Sequence, residues 1–190
     1  MRFPALASLA ALSLALALPA QAGPVADAAA ALEAAATGGD AAALTAAQDQ
    51  LQEAAWAAQP LHFRQALPTA AASGGFGVYD PRPDTIYARG EDIFLYAEPQ
   101  GYGYGDLGDG RFEIGFAVDL RILDTAGGVL VEAPDFMALT HQARGKAREF
   151  GATLVVNLTD APAGDYQLEF TFRDRHSDQR ASFTQPVTLK

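Results

Sequence analysis

Phe112-Glu113-Ile114-Gly115-Phe116-Ala117-Val118-Asp119-Leu120-Arg121-Ile122 alternates large apolar side chains with charged or small ones, without a break. A strand turns successive side chains to opposite faces, so a period of two means one face buried and one face wet. Asp124-Thr125-Ala126-Gly127-Gly128 follows and leads into Val129-Leu130-Val131, which reads as a hairpin. Thr153–Leu158 is a further strand, and Asp160-Ala161-Pro162-Ala163-Gly164 turns the chain again. Beyond it Tyr166, Leu168, Phe170 and Phe172 share one face, with Gln167, Glu169, Thr171 and Arg173 on the other. Arg175–Gln179 turns into a last strand ending Val187-Thr188-Leu189. Leu61–Leu67, a short Thr85–Tyr87 and Ile93–Tyr96 bring the count to seven or eight strands. That pattern predicts a mainly β chain built as an immunoglobulin-like antiparallel sandwich. Tyr166, just after Pro162-Ala163-Gly164-Asp165, stands where such folds place a corner tyrosine.

The stretch before the strands has a different composition. Pro24–Gln59 is dominated by alanine, the best intrinsic helix former, with Leu32, Leu44, Leu51 and Trp56 as its large apolar residues. Thr37-Gly38-Gly39-Asp40 breaks it, glycine ending one helix and Asp40 suited to cap the next. Two helices are predicted, as an antiparallel hairpin. They carry too little large apolar surface to stand alone, so they pack on the sandwich, pack on a partner or stay frayed.

The N-terminus reads as an export signal. Arg2 supplies a cation, Ala5–Leu18 an apolar run, and Ala20-Gln21-Ala22 a small-x-small site, with cleavage expected after Ala22. The run is short of the ~20 residues a spanning helix needs. The expected organisation is a signal peptide over residues 1–22, a helical segment over 23–59 and the sandwich over 60–190. The chain holds no cysteine, which excludes a lipid-anchor cysteine, disulfides, thiol catalysis and cysteine-based metal sites. Thirteen basic residues face 23 acidic ones, for a formal charge of −10. That balance opposes binding to nucleic acid or to anionic lipid, both of which need clustered cations. The expectation is a periplasmic or secreted protein that inserts in no membrane after cleavage.

Trp56-x-x-x-Pro60-Leu61-x-Phe63, Gly75-Phe76-Gly77-x-Tyr79, Gly90-Glu91 and Tyr96-Ala97-Glu98-Pro99-x-Gly101-Tyr102 occur in that order, followed by Pro162-x-Gly164-Asp165-Tyr166 and Phe172-Arg173-Asp174. In this respect the chain resembles a group of uncharacterised exported proteins of Gram-negative bacteria that pair an alanine-rich helical N-terminus with an immunoglobulin-like sandwich. The resemblance covers nearly all of the chain after the leader and implies an envelope protein, with no catalytic residue carried over. The strand pattern also resembles bacterial immunoglobulin-like and macroglobulin-like modules, which bind or space rather than catalyse.

Several segments bear on chemistry. Gly103-Tyr104-Gly105-Asp106-Leu107-Gly108 satisfies G-x-G-x-x-G, but the dinucleotide mechanism needs a helix N-terminus next, and Arg111–Ile122 is a strand. Asp106 and Asp109-Gly110 offer oxygens for calcium, yet the spacing is not that of an EF-hand, and aspartate before glycine is also turn chemistry. His62, His141 and His176 are scattered, without the local pair typical of zinc sites. Ser73 stands in Ala72-Ser73-Gly74-Gly75, outside the G-x-S-x-G frame of a hydrolase. No cofactor is expected.

Two groups of residues suggest contact with a partner. Tyr96, Glu98, Tyr102 and Tyr104 lie among glycines, in the combination of rigid amphipathic rings and adaptable backbone that binding loops use. The competing expectation is that Tyr96 packs inward while the other two tyrosines cover a sheet edge. Arg144, Lys146 and Arg148 form the basic cluster of an acidic chain, inside a polar excursion, Met137–Glu149, that reads as a long loop or short helix. The predicted role is a non-enzymatic envelope binding or adaptor module acting through protein–protein contacts, at the loop over 98–110 and at 137–149. The alternatives are a small-ligand or metal-binding sandwich and a hydrolase with an unrecognised site.

Overall fold

A computed structural model describes residues 23–190, so the expected export signal and its cleavage point lie outside the described residues. Two helices precede nine strands: α1 (Pro24–Gly38), α2 (Ala41–Ala58), β1 (His62–Thr69), β2 (Ile86–Tyr87), β3 (Asp92–Gln100), β4 (Gly105–Gly108), β5 (Arg111–Leu123), β6 (Val129–Arg144), β7 (Ala152–Asn157), β8 (Gly164–Asp174) and β9 (Arg180–Leu189). The chain divides into two compact units, the first ending at Leu51 and the second spanning Gln52–Lys190. The division falls inside α2 rather than at the composition change near Pro60.

In the first unit, α1 opens with Pro24 in its first turn and closes on Gly39, whose φ of 72° is one that glycine adopts without strain. Asp40 then accepts the Ala42 amide on its side chain at 2.9 Å and caps α2 as expected.

The second unit is the sandwich. One sheet runs β1-β3-β7, and the other runs β2-β9-β8-β5, with β6 on the far side of β5 and β4 taking over its near side beyond the end of β8. Apolar faces from both sheets form one core. Ile93, Leu95, Ala97, Leu154 and Val156 come from the first sheet, and Phe116, Val118, Leu168, Phe170, Phe172 and Val187 from the second. Phe63 of β1 meets Phe172 of β8 edge to face across the sandwich at 4.9 Å. The strand order is that of an immunoglobulin-like sandwich, with β1, β3 and β7 against β6, β5, β8 and β9. The Tyr166 hydroxyl donates to the Pro162 carbonyl at 2.8 Å, which makes it the corner tyrosine at the start of β8.

One element corrects the sequence reading. Met137–Glu149 is mostly strand: β6 continues from the hairpin for 16 residues and pairs with β5 as far as Arg144 opposite Arg111. The interruption is a bulge. Pro134 has no amide to offer a ladder, and Asp135 sits at φ 52° with its amide donated to the Asp119 carboxylate at 2.8 Å. The register shifts between Val118 and Leu120 to absorb it.

Candidate functional site

The tyrosines expected to form a binding loop are mostly interior. Tyr96 and Glu98 project from the face of β3 away from the core, where the segment around Gly77 and Tyr79 covers them. Tyr79 stacks on the Tyr96 ring at 4.2 Å, and the Tyr96 hydroxyl accepts the Gly77 amide at 2.7 Å while donating to Glu98 at 2.8 Å. A Cβ at Gly151 would stand 2.6 Å from that hydroxyl, so the approach requires glycine. Tyr102 is a core residue, 1% exposed, packed edge to face on Phe116 and Phe150. The surface placement of Tyr96, Glu98 and Tyr102 is therefore corrected: each side chain is closed over by parts of the chain distant in sequence. Burial pushes the Tyr96 hydroxyl up to about 12 and raises Tyr102 as well.

Tyr104 alone of the four is only partly buried. Its hydroxyl donates to the Ala147 carbonyl at 2.8 Å, the acceptor that Tyr102 also uses at 3.0 Å. Burial pushes Tyr104 up to about 12.

The basic cluster finds its acidic partner within the same compact unit. Lys146 pairs with Glu53 near the end of α2, Arg148 Nη2 lies 3.6 Å from the same carboxylate, and Arg148 Nη1 donates to Gln52 at 2.9 Å. Lys146 also lies over the Tyr104 ring at 5.9 Å and the Phe112 ring at 5.8 Å. Glu53, Trp56, Gly103, Tyr104, Lys146 and Gln179 line an open cleft of about 220 Å³. Arg144 stands apart from them. It is exposed and enters no ion pair among the described residues.

The glycine motif has a packing cause. A Cβ at Gly105 would overlap the His176 ring, one at Gly103 would come 2.9 Å from the His176 carbonyl oxygen, and one at Gly115 would come 3.2 Å from His176 Nε2. Gly108 ends β4 at φ 80°. The motif lies in a β4–β5 hairpin, with no helix after it. The turn from β8 to β9 that carries His176 is held by Asp174, which accepts from the Gly103 amide at 2.6 Å and the Ser177 hydroxyl at 2.5 Å.

Other candidate chemistries do not assemble. Among the described residues no group of three or more histidine and acidic side chains converges as metal ligands. Ser73 bonds the Thr153 hydroxyl at 2.7 Å rather than a histidine. No helix among the described residues is long and apolar enough to cross a membrane.

A further contact feature of the sandwich is the edge formed by β6, of which the sequence reading nominated only the part from Met137 onward. β6 is an edge: β5 is the strand that pairs with it. Its first residues, Val129, Leu130 and Val131, are 44%, 53% and 48% exposed, three consecutive apolar side chains at the tip of the β5–β6 hairpin. The sequence signal was that run itself, read only as a strand start. No protein-family profile matches the chain, and no curated protein matches it.

Proposed function

We propose that the chain is a non-enzymatic binding or adaptor module of the bacterial envelope, working through protein–protein contacts along the β6 edge. The observation that carries this reading is the edge itself, 16 residues long with an exposed apolar tip. An unpaired strand offers a row of amides and carbonyls to any extended segment, so main-chain bonds supply affinity and flanking side chains supply choice. The export-type N-terminus and the resemblance to exported Gram-negative proteins support the envelope as its place of work. Ala138 and Thr140 are exposed edge positions, and replacing both with lysine discourages strand addition without touching the core. Affinity capture from envelope extract is expected to lose its specific proteins in Ala138→Lys/Thr140→Lys, with an unchanged melting temperature. Capture of the same proteins by the variant and the wild type would overturn the reading.

The cleft beside Trp56 and Tyr104 favours a second reading, small-ligand binding. A ligand at 100 times its dissociation constant adds about 2.7 kcal/mol of stability, which a thermal-shift screen of glycans detects.

A further inference from the structure

We propose that the β6 edge is closed in solution by the same edge of a second copy of this chain, antiparallel, with Leu139 of each copy opposite the other. The inference rests on reading β6 as the contact surface and names its occupant.

β5 serves as a ruler. Along it, Leu139 stands opposite Phe116, Arg144 opposite Arg111 and Glu132 opposite Arg121. Positions 111 and 121 lie equally far on either side of Phe116, because the bulge at Pro134 and Asp135 takes up the extra β6 residues. A two-fold axis through Leu139, normal to the sheet, therefore sets Glu132 of one copy beside Arg144 of the other, twice. Both side chains share the face of Arg111 and Arg121, away from the core, and such an axis keeps that face on one side. Moving the register by two residues one way sets Glu132 against Gln142. Moving it the other way carries Glu132 past the end of the strand.

Both residues are incompletely satisfied in one copy. Arg144 has Arg111 as its cross-strand neighbour, a like charge. Glu132 reaches Arg121 only at 3.7 Å and is 66% exposed on its side chain. Between them the same register sets Ala133 against Ala143, Met137 against His141 and Ala138 against Thr140, with no like charges opposed. Edge strands that must stay single usually carry proline, lysine or a bulge. Around the axis the ladder is formed by Met137–His141 of each copy, which has neither proline nor lysine, and Pro134 and the Asp135 bulge lie between this ladder and Glu132. A two-fold contact uses one patch on both subunits, as this one does.

Sedimentation equilibrium of the chain after its leader, at low salt, tests the assignment. Wild-type protein is expected to dimerise, and Glu132→Arg and Arg144→Glu are each expected to weaken self-association by about tenfold or more, since each opposes like charges at both ends of the contact. An equimolar mixture of the two variants is expected to associate more tightly than either alone, because the mixed pair restores opposite charges. A wild type that stays monomeric up to about 100 μM, or a dimer indifferent to both substitutions, would overturn it. A monomeric wild type whose Ala138→Lys/Thr140→Lys variant still loses envelope proteins would reject the second copy and leave the β6 contact reading standing.

Discussion

The indole N–H of Trp56 donates to the carbonyl oxygen of Tyr102 at 2.8 Å, and the two rings meet edge to face with centroids 4.8 Å apart. The last turns of α2 are thereby fixed to a residue whose own ring is in the core. Trp56→Ala is expected to cost about 2–4 kcal/mol, and Trp56→Phe, which keeps most of the packing but loses the bond, about 1–2 kcal/mol. Urea unfolding followed by circular dichroism measures both, since the protein's one tryptophan is removed.

Tyr102 and Tyr104 separate in their effects. Tyr102→Ala opens the core between Phe116, Phe150 and Trp56 and is expected to cost about 3–5 kcal/mol, enough to lower the melting temperature sharply. Tyr104 is only partly buried, so Tyr104→Ala is expected to cost less than Tyr102→Ala. Equal, small effects in calorimetry would return Tyr102 to the surface.

Phe116 lies at the centre of the sandwich, stacked on Phe150 and edge to face with Phe172. Phe116→Ala is expected to destabilise by about 3–5 kcal/mol in chemical denaturation. A cost under about 1 kcal/mol would mean that the opposite face of β5 is the buried one.

Alkaline stability follows from the buried hydroxyls. Burial holds Tyr96 and Tyr104 protonated up to about 12, and raises Tyr102 too, whereas an unfolded tyrosine ionises near about 10. Above that pH the unfolded chain has released protons that the folded chain keeps, so these groups favour unfolding as pH climbs. Their contribution is complete below about pH 10 and is lost through about pH 12. Tyrosine absorbance at high pH is expected to rise in two phases, the second coinciding with loss of circular dichroism. Ionisation of all six tyrosines in one step while the fold persists would contradict the assignment.

How much of this was legible beforehand differs by element. β5 and β8 were readable because each has one face in the core, and their apolar residues recur at every second position. Half of β6 was not readable: an edge strand interrupted at Pro134 and Asp135 and polar from Thr140 to Gln142 shows no alternation, and only its pairing with β5 makes it a strand. β4 is four residues of mainly glycine and acid, too short to carry a period. Tyr96 and Glu98 carry no local sign of burial, since their cover comes from Gly77 and Tyr79. The basic cluster was visible, but the pairing of Lys146 and Arg148 with Glu53 depends on where α2 ends in space.

The fit of His176 against Gly105 and Gly115 has an evolutionary consequence. Of the glycines that mimic a nucleotide loop, Gly105 is the one moulded on the imidazole ring, so drift at position 105 is blocked while His176 stays as it is. A relative that carries alanine at position 105 would need a smaller residue in place of His176, and the two sites should therefore change together as lineages diverge. A G-x-G-x-x-G pattern preserved in a lineage that keeps His176 would record an inherited shape rather than a ligand.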